Sequence, residues 1–315
     1  MGILLELSFI MDKTKRGIAL FITLLVIASI LSIIAVSFSY LDKVKTDAGK
    51  VSALIQGNLF YRNTTDILKK IFPRGKTDSK KLKLVYNLPI VLSEEKSGFN
   101  IDLKCEPLLS AIPIAWLDEK FTKKTPQKLD LARDVLSKIM QQYEIKEPNS
   151  LEELILEPMS DDSQYQSRIK PKRGISSKSQ FNKILLNYRL KYDDENVFKV
   201  PWDKYFIFVN VSKSAKIDGE YISPELVSII WDIPLESVQS DWNINSDMQE
   251  NETMTLKKFL EENGNISDFD KKLFSQKAIN AMHCEERFFY REKYYSFSFD
   301  YSDERNRNFE FNGEI

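Results

Sequence analysis

The sequence predicts an α+β protein in which a long N-terminal transmembrane helix packs on a small antiparallel sheet and a mainly helical domain is inserted. Three observations carry this. Residues 18–40 form an uncharged run of 23, residues 99–105 and 295–301 alternate apolar with polar side chains, and amphipathic helical patterns lie between. With 315 residues, 43% apolar and 29% charged, the chain can build a sizeable core under a solvated surface. Lys plus Arg (45) balances Asp plus Glu (46), so no global positive field favours nucleic acid, and one His with two Cys gives little material for a zinc site.

As a helix, residues 18–40 run about 34 Å, enough to cross a bilayer. Lys13, Lys15 and Arg16 crowd the near side, whereas Asp42, Lys43, Lys45 and Asp47 cancel beyond it. The excess of cations before the span places the N-terminus in the cytoplasm and everything after Leu41 outside, in the periplasm of a Gram-negative host. A cleaved secretory signal has a shorter apolar region, about 7–15 residues, and ends in small residues. Here Val44, Ala48, Val51, Leu54, Ile55, Leu59 and Phe60 continue at three- and four-residue steps, so one helix covers 18–60. Outside the cytoplasm Cys105 and Cys284 can form a disulfide or remain buried thiols; their spacing favours neither.

Residues 82–105 read as a hairpin: KLVYNLPIVL, a turn at 94–98, then Phe99, Ile101, Leu103 and Cys105 on one face. A helix follows with Ala132, Val135, Leu136, Ile139, Met140 and Tyr143 inward. Ser150 with Glu153 reads as a capping box for a second, and 180–190 as a third. The basic loop 170–178 lacks a P-loop ending and interleaved aromatics, and reads as solvated. Residues 205–211, YFIFVNV, predict a strand, and Ser223-Pro224-Glu225 a capped helix start. Leu256, Phe259 and Leu260 form a short helix stopped by Asn263-Gly264, and Ser267 opens another through Phe269, Leu273 and Phe274. Two strands close the chain: Tyr295, Phe297, Phe299 and Tyr301 alternate with Ser296, Ser298 and Asp300, and a polar turn leads to Phe309 and Phe311. The single His, His283, adjoins Cys284, but on a strand neighbouring side chains point to opposite faces, so the two cannot form a dyad. Fingerprints of hydrolases, zinc proteases, P-loops and dinucleotide folds are absent, and the reading is non-enzymatic.

Lys15-Arg16-Gly17 followed by Ile18-Ala19-Leu20-Phe21-Ile22 resembles the type IV prepilin signal, which implies peptidase cleavage between Gly17 and Ile18 and methylation of Ile18. Met11 would give a leader, MDKTKRG, of the usual kind. Most prepilins carry Glu at the fifth mature position; here it is Ile22, and lack of that Glu resembles the K-type minor pseudopilin of type II secretion, the general secretion pathway protein K. FNIDL at 99–103 is similar to that family's FNLN element. Residues 217–230 are similar to its short Pro-Glu-Val-Leu helix, with Gly219-Glu220-Tyr221 where the family has Asn-Thr-Ala.

The resemblance implies a subunit at the pseudopilus tip, with I- and J-type minor pseudopilins, the major pseudopilin and prepilin peptidase as partners. It also implies a single pass through the inner membrane with a periplasmic C-terminal domain. A tip subunit has no neighbour above whose amine needs a carboxylate, so Ile22 avoids an unpaired charge in lipid. The expected organisation is leader 1–17, helix 18–60, an α/β domain in two parts at 61–105 and 201–315, and a helical insertion at 106–200. The family also implies calcium-binding loops. Asp161-Asp162 and Asp193-Asp194-Glu195 offer hard oxygen donors but fit no defined calcium loop, and solvated turns are the expected reading. A minor pilin of a type IV pilus or DNA-uptake machine shares the same signal. An unprocessed single-pass periplasmic binding protein would instead show a deep pocket with convergent polar groups.

Overall fold

The structure, a computed structural model, describes the chain except residues 1, 74, 76, 95–98, 160–173, 242–253, 265–268, 291–292, 303–304 and 315. At 2–22, 92–94, 99–100, 241, 305–306 and 314 it describes the backbone alone. Helix α1 spans Gly2–Ile71, past the expected end at Phe60, and is closed by Pro73 after Phe72 donates its N–H to the Leu68 carbonyl. A five-stranded sheet follows in the order β1 (Ile90–Glu94), β2 (Phe99–Pro107), β5 (Ala281–Tyr290), β6 (Lys293–Ser302), β7 (Arg305–Glu314), each pair antiparallel. Adjacent strands β2 and β5 are separated in sequence by the entire helical region, so the α+β architecture with a helical insertion and a long helix on an antiparallel sheet is what the chain adopts.

The region between β2 and β5, which runs past the 106–200 expected for the insertion, holds α3 (Glu119–Thr122), α4 (Pro126–Gln142), α5 (Pro148–Leu156), α6 (Lys178–Tyr192), α7 (Trp202–Tyr205), α8 (Pro224–Trp231), α9 (Leu235–Asp241) and α10 (Leu256–Glu262). A two-residue parallel pair, β3 (Ile112–Pro113) with β4 (Phe206–Ile207), lies among them. Their apolar faces converge on one core that includes Trp116, Ala132, Val135, Leu136, Ile139, Phe181, Tyr188, Phe206, Leu226 and Phe259. Ser223 accepts the Leu226 N–H at the start of α8, and Thr255 accepts the Lys258 N–H at the start of α10. Each cap satisfies a donor that the first helical turn leaves unpaired.

Five local expectations change. Residues Ser79–Asn87 are helix α2, not strand: Asp78 accepts the N–H groups of Lys80 and Lys81, and Leu82 and Val85 are buried on one helical face. The hairpin starts only after Pro89, because a residue before proline is pushed out of helical geometry and Leu88 is extended. Helix α5 begins at Pro148, so Ser150 lies inside it and caps nothing. Of YFIFVNV only Phe206–Ile207 pairs as strand; Tyr205 closes α7, and Phe208 stacks on Phe181 at 4.4 Å. Residues 269–274 form a turn held by Asp270, and Phe274 bridges to Ile217; Ser267 lies outside the described residues. The chain closes with three strands, since β5 runs the full ten residues Ala281–Tyr290.

Candidate interface: the long helix and its seat

Helix α1 divides into two halves by what its side chains meet. From Thr23 through Asp47 every described side chain is exposed, with Leu31, Ile33, Val36 and Phe38 among the most open. Among the described residues this is a helix long and apolar enough to cross a membrane, and none of its apolar window is buried by the protein itself. Ser29 and Ser37 donate to the carbonyls of Leu25 and Ile33, four residues back, so their hydroxyls already have acceptors in an apolar medium. Gly17, Ile18 and Ile22 fall within the helical backbone, and their side chains lie outside the described residues.

From Ala53 onward the helix is seated. Ala53, Gly57, Thr64, Leu68 and Phe72 are buried, with half-buried Phe60 and Tyr61 between Gly57 and Thr64, so the covered positions recur at three- and four-residue steps and one face meets the sheet. The partners are rings on alternate positions of β5, β6 and β7. Phe60 meets Phe288 edge-on at 5.2 Å; Tyr61 meets Phe299 at 5.2 Å and Phe309 at 4.8 Å. At Gly57 a side-chain carbon would come within 3.4 Å of the Phe311 ring and 3.5 Å of Phe288, so the backbone approaches the sheet closely there. Strand β7 carries two register shifts, and beside one of them Asn308, with φ 53°, donates to Asp300 at 2.6 Å. A bulge of this kind bends an edge strand, here the one that supplies Phe309 and Phe311. Where α1 ends, Tyr301 donates its hydroxyl to the Phe72 carbonyl at 2.9 Å.

A second polar contact lies inside this apolar seat. Glu286 is fully buried, and its Oε2 accepts the Thr64 hydroxyl at 2.7 Å, while among the described residues Oε1 has no hydrogen-bond partner. Burial pushes its carboxyl up to about 7, against the Thr64 hydrogen bond that favours the charged form. Cys105 and Cys284 face each other across β2 and β5 and are joined as a disulfide in the same core. His283 points to the other face, half exposed, and donates Nδ1–H to Asp300 at 2.7 Å; that bond raises its pKa. Neighbouring strand residues thus diverge, and His283 and Cys284 form no dyad.

The residues that join the seat to the helical region were not singled out by sequence. Asp218 is buried and accepts three backbone N–H groups, from Glu220 at 2.8 Å, Tyr221 at 3.1 Å and Ile279 at 2.7 Å. Gly219 packs so tightly on Ser275 that a side-chain carbon would sit 2.0 Å from its carbonyl oxygen. Tyr221 then enters the seat's core, with its ring edge-on to Tyr86 at 4.9 Å. The sequence signal was Gly219-Glu220-Tyr221, noticed as a departure from a motif rather than as a close backbone contact.

The acidic turn weighed for calcium does not fit the ion. Asp194 is buried and its oxygens are taken by the N–H groups of Lys146 and Asn196 and the Tyr188 hydroxyl, and Glu195 pairs with Arg189 at 2.8 Å. Asp161-Asp162 lies outside the described residues. Among the described residues no group of three His, Cys, Asp or Glu is placed to hold a metal. A groove of about 530 Å³ opens beside Lys138, Gln141, Ser228 and Asp232. Its ammonium is already held by the Ile229 carbonyl and Asp232.

No protein-family model and no curated protein matches the chain. Among solved structures the chain is similar to one in the crystal structure of the GspK-GspI-GspJ complex from the enterotoxigenic Escherichia coli Type 2 Secretion System. The identity is 11%, the match covers 83% of this chain and 98% of that one, and the TM-score is 0.48.

Proposed function

We propose that the chain is a membrane-anchored, non-enzymatic assembly subunit, a K-type minor pseudopilin that sits at the tip of a type II secretion pseudopilus and helps start its assembly. The single observation that carries this reading is the divided helix. One continuous element is apolar and uncovered over the length of a bilayer, then seated by rings on a five-stranded sheet. Such a helix is built to leave its first half for lipid or for other helices while its second half holds a folded domain outside. The basic Lys15-Arg16-Gly17 before an uncharged run, with Ile22 at the fifth position after Gly17, supports processing by prepilin peptidase and a place at the tip. The partners are then the I- and J-type minor pseudopilins and the major pseudopilin, with the helix in the inner membrane and the sheet in the periplasm.

The test is intact-mass and N-terminal analysis of the full chain expressed with and without a cognate prepilin peptidase. Cleavage after Gly17 with a methyl group on Ile18 is the expected result. An uncut N-terminus beside an active peptidase, which processes a control prepilin in the same cells, overturns the reading and leaves an ordinary signal-anchored protein.

A further inference from the structure

The seat of α1 is made largely of rings, small residues and aliphatic side chains, and such apolar contacts are permissive. An aromatic surface accepts an apolar helix in more than one register, because dispersion and area burial are non-directional. A shift of one turn moves the helix about 5.4 Å along the sheet. Because the apolar first half is continuous with the seated half, the same shift would move the domain by that distance relative to whatever holds the first half. A slip in either direction would break the Tyr301 bond to the Phe72 carbonyl, and two further features of the seat oppose a shift, one for each direction.

In one direction, each residue takes the place of the one four positions before it. Tyr61 would then occupy the place of Gly57, where even a single side-chain carbon already reaches van der Waals contact with Phe311 and Phe288. Sterics close that route. In the opposite direction Ala53 would fall at the place of Gly57, and its methyl fits at those 3.4–3.5 Å distances. At Gly57 sterics therefore leave the second route open, and resistance arises where rings must enter the places of the buried Thr64 and Thr65. That shift brings Phe60 to the place of Thr64, over the buried Glu286 carboxyl. The cross-strand neighbours of Glu286 are Leu103 and Phe297, both buried and neither able to donate a hydrogen bond. Among the described residues Thr64 supplies the one hydrogen bond this carboxyl makes, and Oε1 has none to fall back on. Slippage would leave the whole group buried without a partner, which is the costly case for a polar group in a core.

We propose that Glu286, through the hydrogen bond from Thr64, is a positioning residue that fixes the register of the long helix on the sheet, with Gly57 blocking the opposite slip. A buried polar group retained in this way lowers stability relative to an apolar residue of similar size and instead selects one arrangement. This is a property of the fold and does not depend on the pseudopilin reading, which is tested separately by cleavage.

The test is a distance measurement between nitroxide labels at Val51→Cys on the exposed side of α1 and Glu310→Cys on β7, in the full chain in detergent with the native disulfide oxidised. The labelled parent is expected to give one narrow distance. Glu286→Gln keeps an acceptor for Thr64 and is expected to retain it. Glu286→Leu is expected to melt no lower than the parent, yet to show a second population displaced by up to about 5 Å. A role in packing alone would change the melting temperature without adding a distance. A single unshifted distance in Glu286→Leu overturns the proposal, as does a second distance in Glu286→Gln. Should Glu286→Leu fail to fold, Thr64→Val decides: it removes the donor at nearly constant shape, and a single parental distance there overturns the proposal equally.

Discussion

The two cores of this protein are built in opposite ways. The helical insertion gathers its buried side chains from one unbroken stretch, from Ala111 to Phe274, so most of its contacts close short loops. The seat of the long helix draws on both sides of that stretch: Ala53 to Cys105 before it, and Ala278 to Tyr301 after it. Its central strand pair, β2 with β5, and its disulfide span a sequence separation of 179 residues. The insertion can form from local contacts, whereas the sheet forms only when two distant segments are brought together and that loop-closure cost is met. The link between them is the loop from Ile217 to Ser223, where Asp218 accepts from Ile279 just before β5 begins and donates its own N–H to Leu109 just after β2 ends.

The largest break should therefore come at that link. Gly219→Ala places a methyl 2.0 Å from the Ser275 carbonyl oxygen, a backbone atom that cannot swing away. We expect a loss of more than about 4 kcal/mol, or failure to fold, with both cores affected together. A melt in which Gly219→Ala lies within about 1 kcal/mol of the parent would show that the loop gives way freely.

Next in size is the disulfide, which acts on the sheet alone. Trp116, Trp202 and Trp231 pack in the helical insertion, and Trp242 lies in the same inserted sequence, so tryptophan fluorescence reports that region. Replacing Cys105 and Cys284 with Ala should lower the stability of the sheet by up to about 5 kcal/mol, from loop entropy across 179 residues. The tryptophan transition in urea should move much less than the sheet signal from circular dichroism. Coincident shifts would mean that the two cores unfold as one unit.

The smallest of the three is a pH effect confined to the seat. Glu286 has a folded-state pKa of about 7 against an ordinary 4.5, because burial disfavours its charge by more than the Thr64 hydrogen bond favours it. Between those values the folded protein holds a proton that the unfolded chain has released. Its contribution is thus fully present below about pH 4.5, falls as pH rises toward 7, and is flat above, by on the order of 3 kcal/mol at most. The urea midpoint of the sheet transition should fall over that window in the parent and less steeply in Glu286→Gln. Equal slopes would assign the effect to other groups.

Sequence periodicity identified the parts that rest on one residue's relation to its near neighbours. The uncharged run, the face of α4, the Ser223 cap and the alternation in β6 all follow from side-chain chemistry at fixed local spacing. Reading failed where that periodicity is masked or outvoted. Strand β5 escaped recognition as a full strand because its inward phase, Met282, Cys284, Glu286, Phe288, contains a carboxylate. The run at 205–211 has the right composition and even the right alternation, but apart from the two-residue contact with β3 its rings pack into the helical core, so a ladder barely forms. Residues 82–87 are rich in strand formers, yet Asp78 caps a helix there and Pro89 ends it.

What the sequence determined by itself was a helix long and apolar enough to cross a membrane, and the general plan of a helix, a sheet and a helical insertion. Each is written in hydrophobicity and charge along the chain, which need no knowledge of distant residues. Only the tertiary structure decided that β2 pairs with β5, that Cys105 meets Cys284, that Gly219 has no room for a side chain, and that Thr64 reaches Glu286 from 222 residues away. These depend on which surfaces meet after the chain closes on itself, and a buried carboxyl or a missing methyl has no meaning until its neighbours are in place.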